Sequence, residues 1–472
     1  MAALRPRYRW LLAAAVLLIL STALVLWADT RPGYDPYGWL VWGKLTIHGN
    51  LDTNGAPSWK PLPFLVTVPF ALLGHYALWL WMILAVAVSL SGMVFAWRIA
   101  VHLTDAPPGR RWAGLAAGAF AAIALLGIRD YAHFTLSAQS DTMIVSLCLA
   151  AIDCQLAGRY RWAFWLWILG ALGRPEVWPF LALYTVWAWR TLPTMRRMLA
   201  AGVVLIPLLW FGIPAFTAKS AFIAGNNALH SPRQLHSNKL LGTLDRFLDL
   251  HELAVWGAGL ATVAIAALRR QRFILLLAAG AVVWVGVEVA FVLHGYPGVQ
   301  RYLFEPVAIV CVLAGVFAGR VLLDVTPLLG RLGPRLSPRF GTALAGAILL
   351  VLAASLVPAA RSRVRIERAD LIHERARTRE INALHTVITR IGLARLLACG
   401  RPNIQIGDQS VFAWYTGIKI GALYINRKHE LQHPSPLVNI YPLKGGGWKV
   451  FPSHIAGDAV TRCHGLRFTI RS

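Results

Sequence analysis

Apolar residues in this chain gather into long runs, separated by short polar connections rich in arginine. The runs predict about eleven membrane spans, at 10–28, 78–101, 112–128, 142–157, 162–173, 177–189, 199–216, 253–268, 273–293, 305–323 and 342–360, judged against the ~20 helical residues a bilayer requires. The fifth and sixth are short and separated only by Arg174-Pro175-Glu176, which predicts tilted or broken helices lining a cavity. Residues 61–75, with Pro61, Pro63, Pro69 and Gly74 among apolar residues, are too interrupted to span and predict an interfacial helix on the outer leaflet. Residues 1–28 could also be a cleaved signal peptide. Their apolar run exceeds an ordinary h-region, however, and reads as a retained span.

Beyond residue 360 the pattern changes. A charged helical stretch leads to short β-like runs, Asn403-Ile404-Gln405-Ile406 and Ala422-Leu423-Tyr424-Ile425, with a flexible turn at Gly445-Gly446-Gly447. The expected fold is an all-α polytopic membrane domain over 1–360, followed by a small α+β domain over 361–472.

Composition supports the membrane reading: of 472 residues 57% are hydrophobic and only 14% charged, with a mean hydropathy of +0.56. Soluble domains carry about a quarter charged residues. The 20 Trp suit interfacial anchoring and an aromatic-lined pocket. A formal net charge of +25 would suit nucleic acid, but most arginines lie in short clusters between apolar runs, where they report topology. With the N-terminus cytoplasmic, Arg5, Arg98, Arg110, Arg111, Arg159, Arg161, Arg196, Arg197, Arg269, Arg270 and Arg335 fall inside, among others. The opposite side receives fewer basic residues, and the tail lies outside, because long terminal segments translocate largely regardless of charge.

Cys148, Cys154 and Cys311 lie in apolar runs as small core residues. Cys399 and Cys463 in the tail are either a disulfide, if the tail is outside, or free thiols. No CxxC or metal-ligand spacing occurs, and His230, His236 and His251 in the 217–252 loop lack an acidic partner at such spacing. No P-loop, GxSxG or HExxH pattern is present.

In this topology the unusual polar residues collect on the outer side. Asp35 and Lys60 follow the first span, and Arg129, Asp130, His133 and Asp141 separate the third and fourth. Arg174 and Glu176 separate the fifth and sixth, and Arg301 and Tyr302 the ninth and tenth. Carboxylates near hydrocarbon cost ~2.5–3.5 kcal/mol each on insertion scales, so several at one level ask for a reason. Asp35, before Pro36 and among aromatics, suits a general base or caps the following helix. Asp141 sits where an ordinary capping acid would. Arg174 and Glu176 either pair with each other or face the cavity. Lys60 and Arg301 suit charge-assisted bonds to a phosphate, or snorkel to headgroups. His133 either orients an acceptor or merely caps a helix. Asp153 reads as interfacial, and Glu288 is a carboxyl inside a span and so a functional candidate, unless it pairs with a neighbouring helix.

Together these residues resemble the GT-C superfamily of membrane glycosyltransferases, over roughly residues 9–320. The carriers are Asp35 just after the first span and Trp59-Lys60-Pro61-Leu62-Pro63 opening the interfacial helix. Ser140-Asp141-Thr142, Gly158-Arg159 and the run Gly170 to Pro179 resemble the fourth-to-sixth-span region of bacterial members. The resemblance implies a polyprenyl-phosphate sugar as donor and a glycan, lipid or protein hydroxyl as acceptor. It further implies inverting transfer at the outer face of a bacterial plasma membrane, with Asp35 as catalytic base, Asp141 as second acid and Arg301 on the lipid phosphate. No DxD or ExD pair occurs in the first loop, so no metal or other cofactor is expected, and no nucleic acid. The tail resembles no lectin-like or catalytic module. The rival classes are a lipid-linked substrate transporter or flippase, whose polar residues would run through the membrane, and a membrane scaffold without activity.

Overall fold

The computed structural model describes residues 6–55, 57–229, 231, 233–236, 238–332, 338–425, 436–453, 463 and 466–471. Arg5, His230 and Arg335 lie outside them. Each predicted apolar run falls on a helix. In chain order these helices are α1 (Pro6–Ala28), α2 (Tyr34–Ile47), α3 (Pro61–Ala71), α4 (Tyr76–Thr104), α5 (Arg111–Leu126), α6 (Tyr131–Leu136), α7 (Ser140–Leu156), α8 (Tyr160–Gly173), α9 (Trp178–Thr191) and α10 (Arg196–Pro207). They continue with α11 (Ile213–Thr217), α12 (Ile223–Leu229), α13 (Lys239–Leu248), α14 (Leu253–Leu268), α15 (Arg272–His294), α16 (Phe304–Leu332) and α17 (Pro338–Ile391). Among the described residues six helical segments are long and apolar enough to cross a bilayer alone, seven if the bent pair α13–α14 is one span. The chain is a multi-pass membrane protein; the helices α8 and α9, at 14 residues each, are too short to cross unaided.

Small residues set the packing of the bundle centre. Ala113, Ala117 and Ala121 recur every fourth residue on α5 and are fully buried. They face Gly315 and Gly319 of α16, where a Cβ on Gly315 would lie 2.4 Å from the Ala117 carbonyl oxygen. Such stripes let backbones approach where lipid supplies no hydrophobic drive. Asp153 does more than mark an interface: it is buried and accepts from Arg98 Nε at 3.0 Å, tying α7 to α4.

The loop that follows α1 folds into the bundle. Buried Trp39 meets Trp81 of α4 edge-on at 5.5 Å, and Trp42 meets Trp59 at 5.2 Å. Trp59 Nε1 donates to the Leu209 carbonyl at 3.1 Å, and Trp81 Nε1 to the Ala138 carbonyl at 3.1 Å. α3 packs one face on α2, with Thr67 Oγ1 donating to the Trp39 carbonyl at 2.9 Å. Leu65, Leu72 and Leu73 remain exposed on and just beyond α3.

α17 runs for 54 residues, so the change from apolar to charged composition near residue 360 falls inside one helix. After it, α18 (Leu393–Ala398), α19 (Gln409–Thr416) and strands β1 (Arg401–Ile404), β2 (Tyr424–Ile425), β3 (Leu437–Pro442), β4 (Trp448–Ser453) and β5 (Phe468–Ile470) form the small α+β unit. The sheet order is β2-β1-β3-β4-β5, parallel for β2-β1-β3 and antiparallel for β3-β4-β5. Gly445, Gly446 and Gly447, all at positive φ, make the β3–β4 turn. Cys399 and Cys463 form a disulfide. The unit sits on the first loop. Gln409 Nε2 of α19 donates to Tyr34 Oη at 2.5 Å, the Arg31 amide donates to Thr378 Oγ1 at 2.9 Å, and Arg377 Nη2 donates to the Pro32 carbonyl at 3.0 Å.

Candidate active site

Four separate connections bring their polar residues to one place. Pro36 follows Asp35 in the first turn of α2, whose remaining residues are held by the tryptophan packing described above. Ser140 and Asp141 open α7, and Arg174 ends α8 in an extended conformation before the turn Pro175–Val177. Arg301 and Tyr302 lie in the short turn before α16.

Asp141, 0% exposed, is the hub. Its Oδ1 accepts from Arg174 Nη2 and faces Arg301 Nε at 3.7 Å. Arg301 Nη2 in turn faces Asp35 Oδ2 at 3.6 Å, so Arg301 stands between the two aspartates. Lys60 Nζ donates to Ser140 Oγ at 3.0 Å and lies over the Trp39 ring at 5.6 Å. Burial pushes the Lys60 ammonium below its ordinary pKa, opposed by Asp141. Arg174 lies over Tyr302 at 4.2 Å, and its Nη1 is 3.6 Å from Glu176 Oε1. Both expectations for Arg174 and Glu176 therefore hold together: they approach each other, and both line a cavity.

That cavity has a volume of about 460 Å³ and is walled mainly by apolar and aromatic residues, among them Trp59, Trp178, Trp210, Phe211, Phe222 and Phe291. Its polar lining includes Lys60, Arg174, Glu176, Glu288 and Tyr302. Arg174 is 2% exposed, and its Nε and Nη1 have no hydrogen-bond partner. Nε, without an acceptor among the described residues, and Nη1, which meets Glu176 only at 3.6 Å, lie buried beside an aromatic cavity and can donate to an anion carried on an apolar group. Asp35 does not line this cavity. It lies on the far side of Arg301, and its side chain is 18% exposed against 0% for Asp141.

His133 is not brought into the group. Its Nδ1 pairs with Asp370 of α17 at 2.8 Å, and that bond raises its pKa. His133, Asp370 and Glu374 place ligand atoms within 4.8 Å of one another. Glu374 also pairs with Arg377 at 3.0 Å, so these donors already have partners, and we assign them no metal. His251 accepts no such role either; its Nε2 bonds the Ala124 carbonyl at 3.0 Å. Trp178 opens the sixth predicted span, one of the two expected to line a cavity; for Trp210, Phe211 and Phe222 the sequence carries no signal beyond its aromatic content.

The architecture is that of a polytopic membrane protein. It is shared over most of the chain with ArnT from Cupriavidus metallidurans. The apo ArnT structure superposes with a TM-score of 0.53 at 16% identity, covering 93% of this chain and 94% of ArnT. The structure of ArnT bound to undecaprenyl phosphate gives 0.51 at 16% identity, over 92% and 93%. At this identity the likeness is one of fold. No family model and no curated protein matches the chain.

Proposed function

We propose that the protein is a membrane glycosyltransferase that moves a sugar from a polyprenyl-phosphate donor to a hydroxyl acceptor at the outer face of a bacterial plasma membrane, with inversion. The observation that carries this reading is the aromatic-walled cavity ending on buried Arg174, whose Nε and Nη1 make no hydrogen bond among the described residues, next to Lys60 and Tyr302. An apolar tail fits the walls and a phosphate fits the guanidinium. The fold neighbour solved with undecaprenyl phosphate supports the same class of ligand.

Asp35, the most open of the carboxylates in the group, takes the proton from the acceptor hydroxyl, whose oxygen attacks the anomeric carbon. The bond from that carbon to the phosphate oxygen breaks, and Arg174, Lys60 and Arg301 stabilise the departing phosphate in a water-poor site. Asp141 holds both arginines, and Glu176 orients sugar hydroxyls. The N-terminus is cytoplasmic and the unit after residue 360 extracytoplasmic in this reading. Binding of undecaprenyl phosphate to the purified protein in nanodiscs tests it. Saturable binding that Arg174→Gln weakens at least tenfold is expected, and no saturable binding would refute it.

A further inference from the structure

Glu288 sits inside α15, 1% exposed, and neither carboxyl oxygen has a hydrogen-bond partner among the described residues. It lines the same cavity as Arg174 and Glu176. On its helix it is flanked by Trp284, whose Nε1 donates to the Tyr302 carbonyl at 3.0 Å, and by Phe291, which also lines the cavity. The helix face is thus fixed and Glu288 is aimed into the hollow. A leucine there would fit a membrane helix at lower cost, since a buried polar group without a partner costs ~1–3 kcal/mol. No hydrogen-bond donor among the described residues offsets that cost, and a ligand in the cavity would.

The ligand atoms Glu288 would accept from are not those of the phosphate, which offers oxygens of the same sign and is drawn to the cations. A sugar offers several hydroxyl donors. We propose that Glu288 accepts hydrogen bonds from ring hydroxyls of the sugar on the lipid-linked donor, and so sets which sugar the protein takes. Glu176, whose Oε2 is likewise unpartnered, offers a second acceptor on the same wall. This inference rests on the proposed donor class.

The test compares bare undecaprenyl phosphate with undecaprenyl-phosphate-linked arabinose, mannose and glucose, binding to wild type, Glu288→Gln and Glu288→Leu in nanodiscs. Wild type is expected to bind at least one sugar-bearing lipid more tightly than the bare lipid. Glu288→Leu should reduce that preference, taken as the ratio of sugar-bearing to bare-lipid affinity, about tenfold or more, and Glu288→Gln by less. Saturable binding of bare lipid shows that the variants are folded. An unaltered sugar preference overturns the inference, as does a loss common to bare and sugar-bearing lipids, or equal wild-type affinity across the panel. Failure of wild type to bind bare undecaprenyl phosphate instead strikes the donor assignment itself.

Discussion

Asp35→Asn separates chemistry from stability more cleanly than any other change. The amide keeps the size of the side chain and removes its ability to take a proton at neutral pH. Asp35 is partly open and meets Arg301 at 3.6 Å, beyond good hydrogen-bond reach. The pair is largely buried, but it lacks a hydrogen bond and the amide keeps an oxygen toward Arg301, so the loss should stay well below the ~3–5 kcal/mol of emptying a buried ion pair. The folded protein should therefore lose much less than it does with Asp141→Asn. Loss of a positioned general base costs ~10²–10⁴-fold in rate. Asp141→Asn provides the contrast. Asp141 is fully buried against Arg174 and Arg301, and removing one member of a buried ion pair costs ~3–5 kcal/mol. We expect Asp35→Asn to show an unfolding transition in detergent close to that of wild type with transfer reduced at least a hundredfold, and Asp141→Asn to lose both. The assay is release of polyprenyl phosphate from the lipid-linked sugar in membranes containing the native acceptor. Transfer by Asp35→Asn within a few fold of wild type, or a fall in activity matched by loss of folded protein, would refute the assignment.

Arg301→Ala should weaken undecaprenyl phosphate binding by about tenfold to a hundredfold, the range for a charge-assisted bond of ~1.5–3 kcal/mol; unchanged affinity counts against its role. A divalent-ion chelator should leave transfer unchanged, because Asp35, Asp141 and Glu176 each already face a guanidinium; loss of activity restored by a divalent ion would reverse this. Burial pushes the Asp408 carboxyl up to about 6. Its charged form is therefore disfavoured in the folded tail, and stability is lost as pH rises from about 4 to 6. Asp408→Asn should match wild type near pH 4 and be more stable by about 1–3 kcal/mol at pH 7.5, read as unfolding transitions at the two pH values; an equal difference at both would refute it.

The apolar helices were legible because hydrocarbon forces every backbone group into helix, and apolar runs record that directly; the number of spans was not, since about eleven are expected and six or seven of the described helical segments are long and apolar enough to cross alone. The gathering of Asp141, Arg174 and Arg301 was legible too, since topology assigned their connections to one side. Three further things were not. The sequence does not fix the rotation of a turn about its axis, so nothing in it places Arg301 between Asp35 and Asp141. His133 looked like its neighbours in position, but its partner Asp370 is 237 residues away on a helix whose outward course depends on tertiary packing. The seating of α19 on α2 through Gln409 and Tyr34 joins residues 375 apart, and no local pattern encodes it.

The position of Arg301 gives the proposed reaction its electrostatic logic. In the resting site Arg301 faces Asp35 on one side and Asp141 on the other. When Asp35 takes the acceptor's proton it loses its charge, and with it most of its hold on Arg301. At the same moment negative charge grows on the departing phosphate. In a site of low dielectric both changes act on the guanidinium in one direction, away from Asp35 and toward the leaving group. Asp141 keeps Arg301 and Arg174 anchored throughout, so little reorganisation is needed as charge moves. An aspartate at position 35 that stays ionised would hold Arg301 back. Arg301→Lys, which keeps the charge but loses the fork that reaches two carboxylates, should therefore lower kcat more than it raises KM.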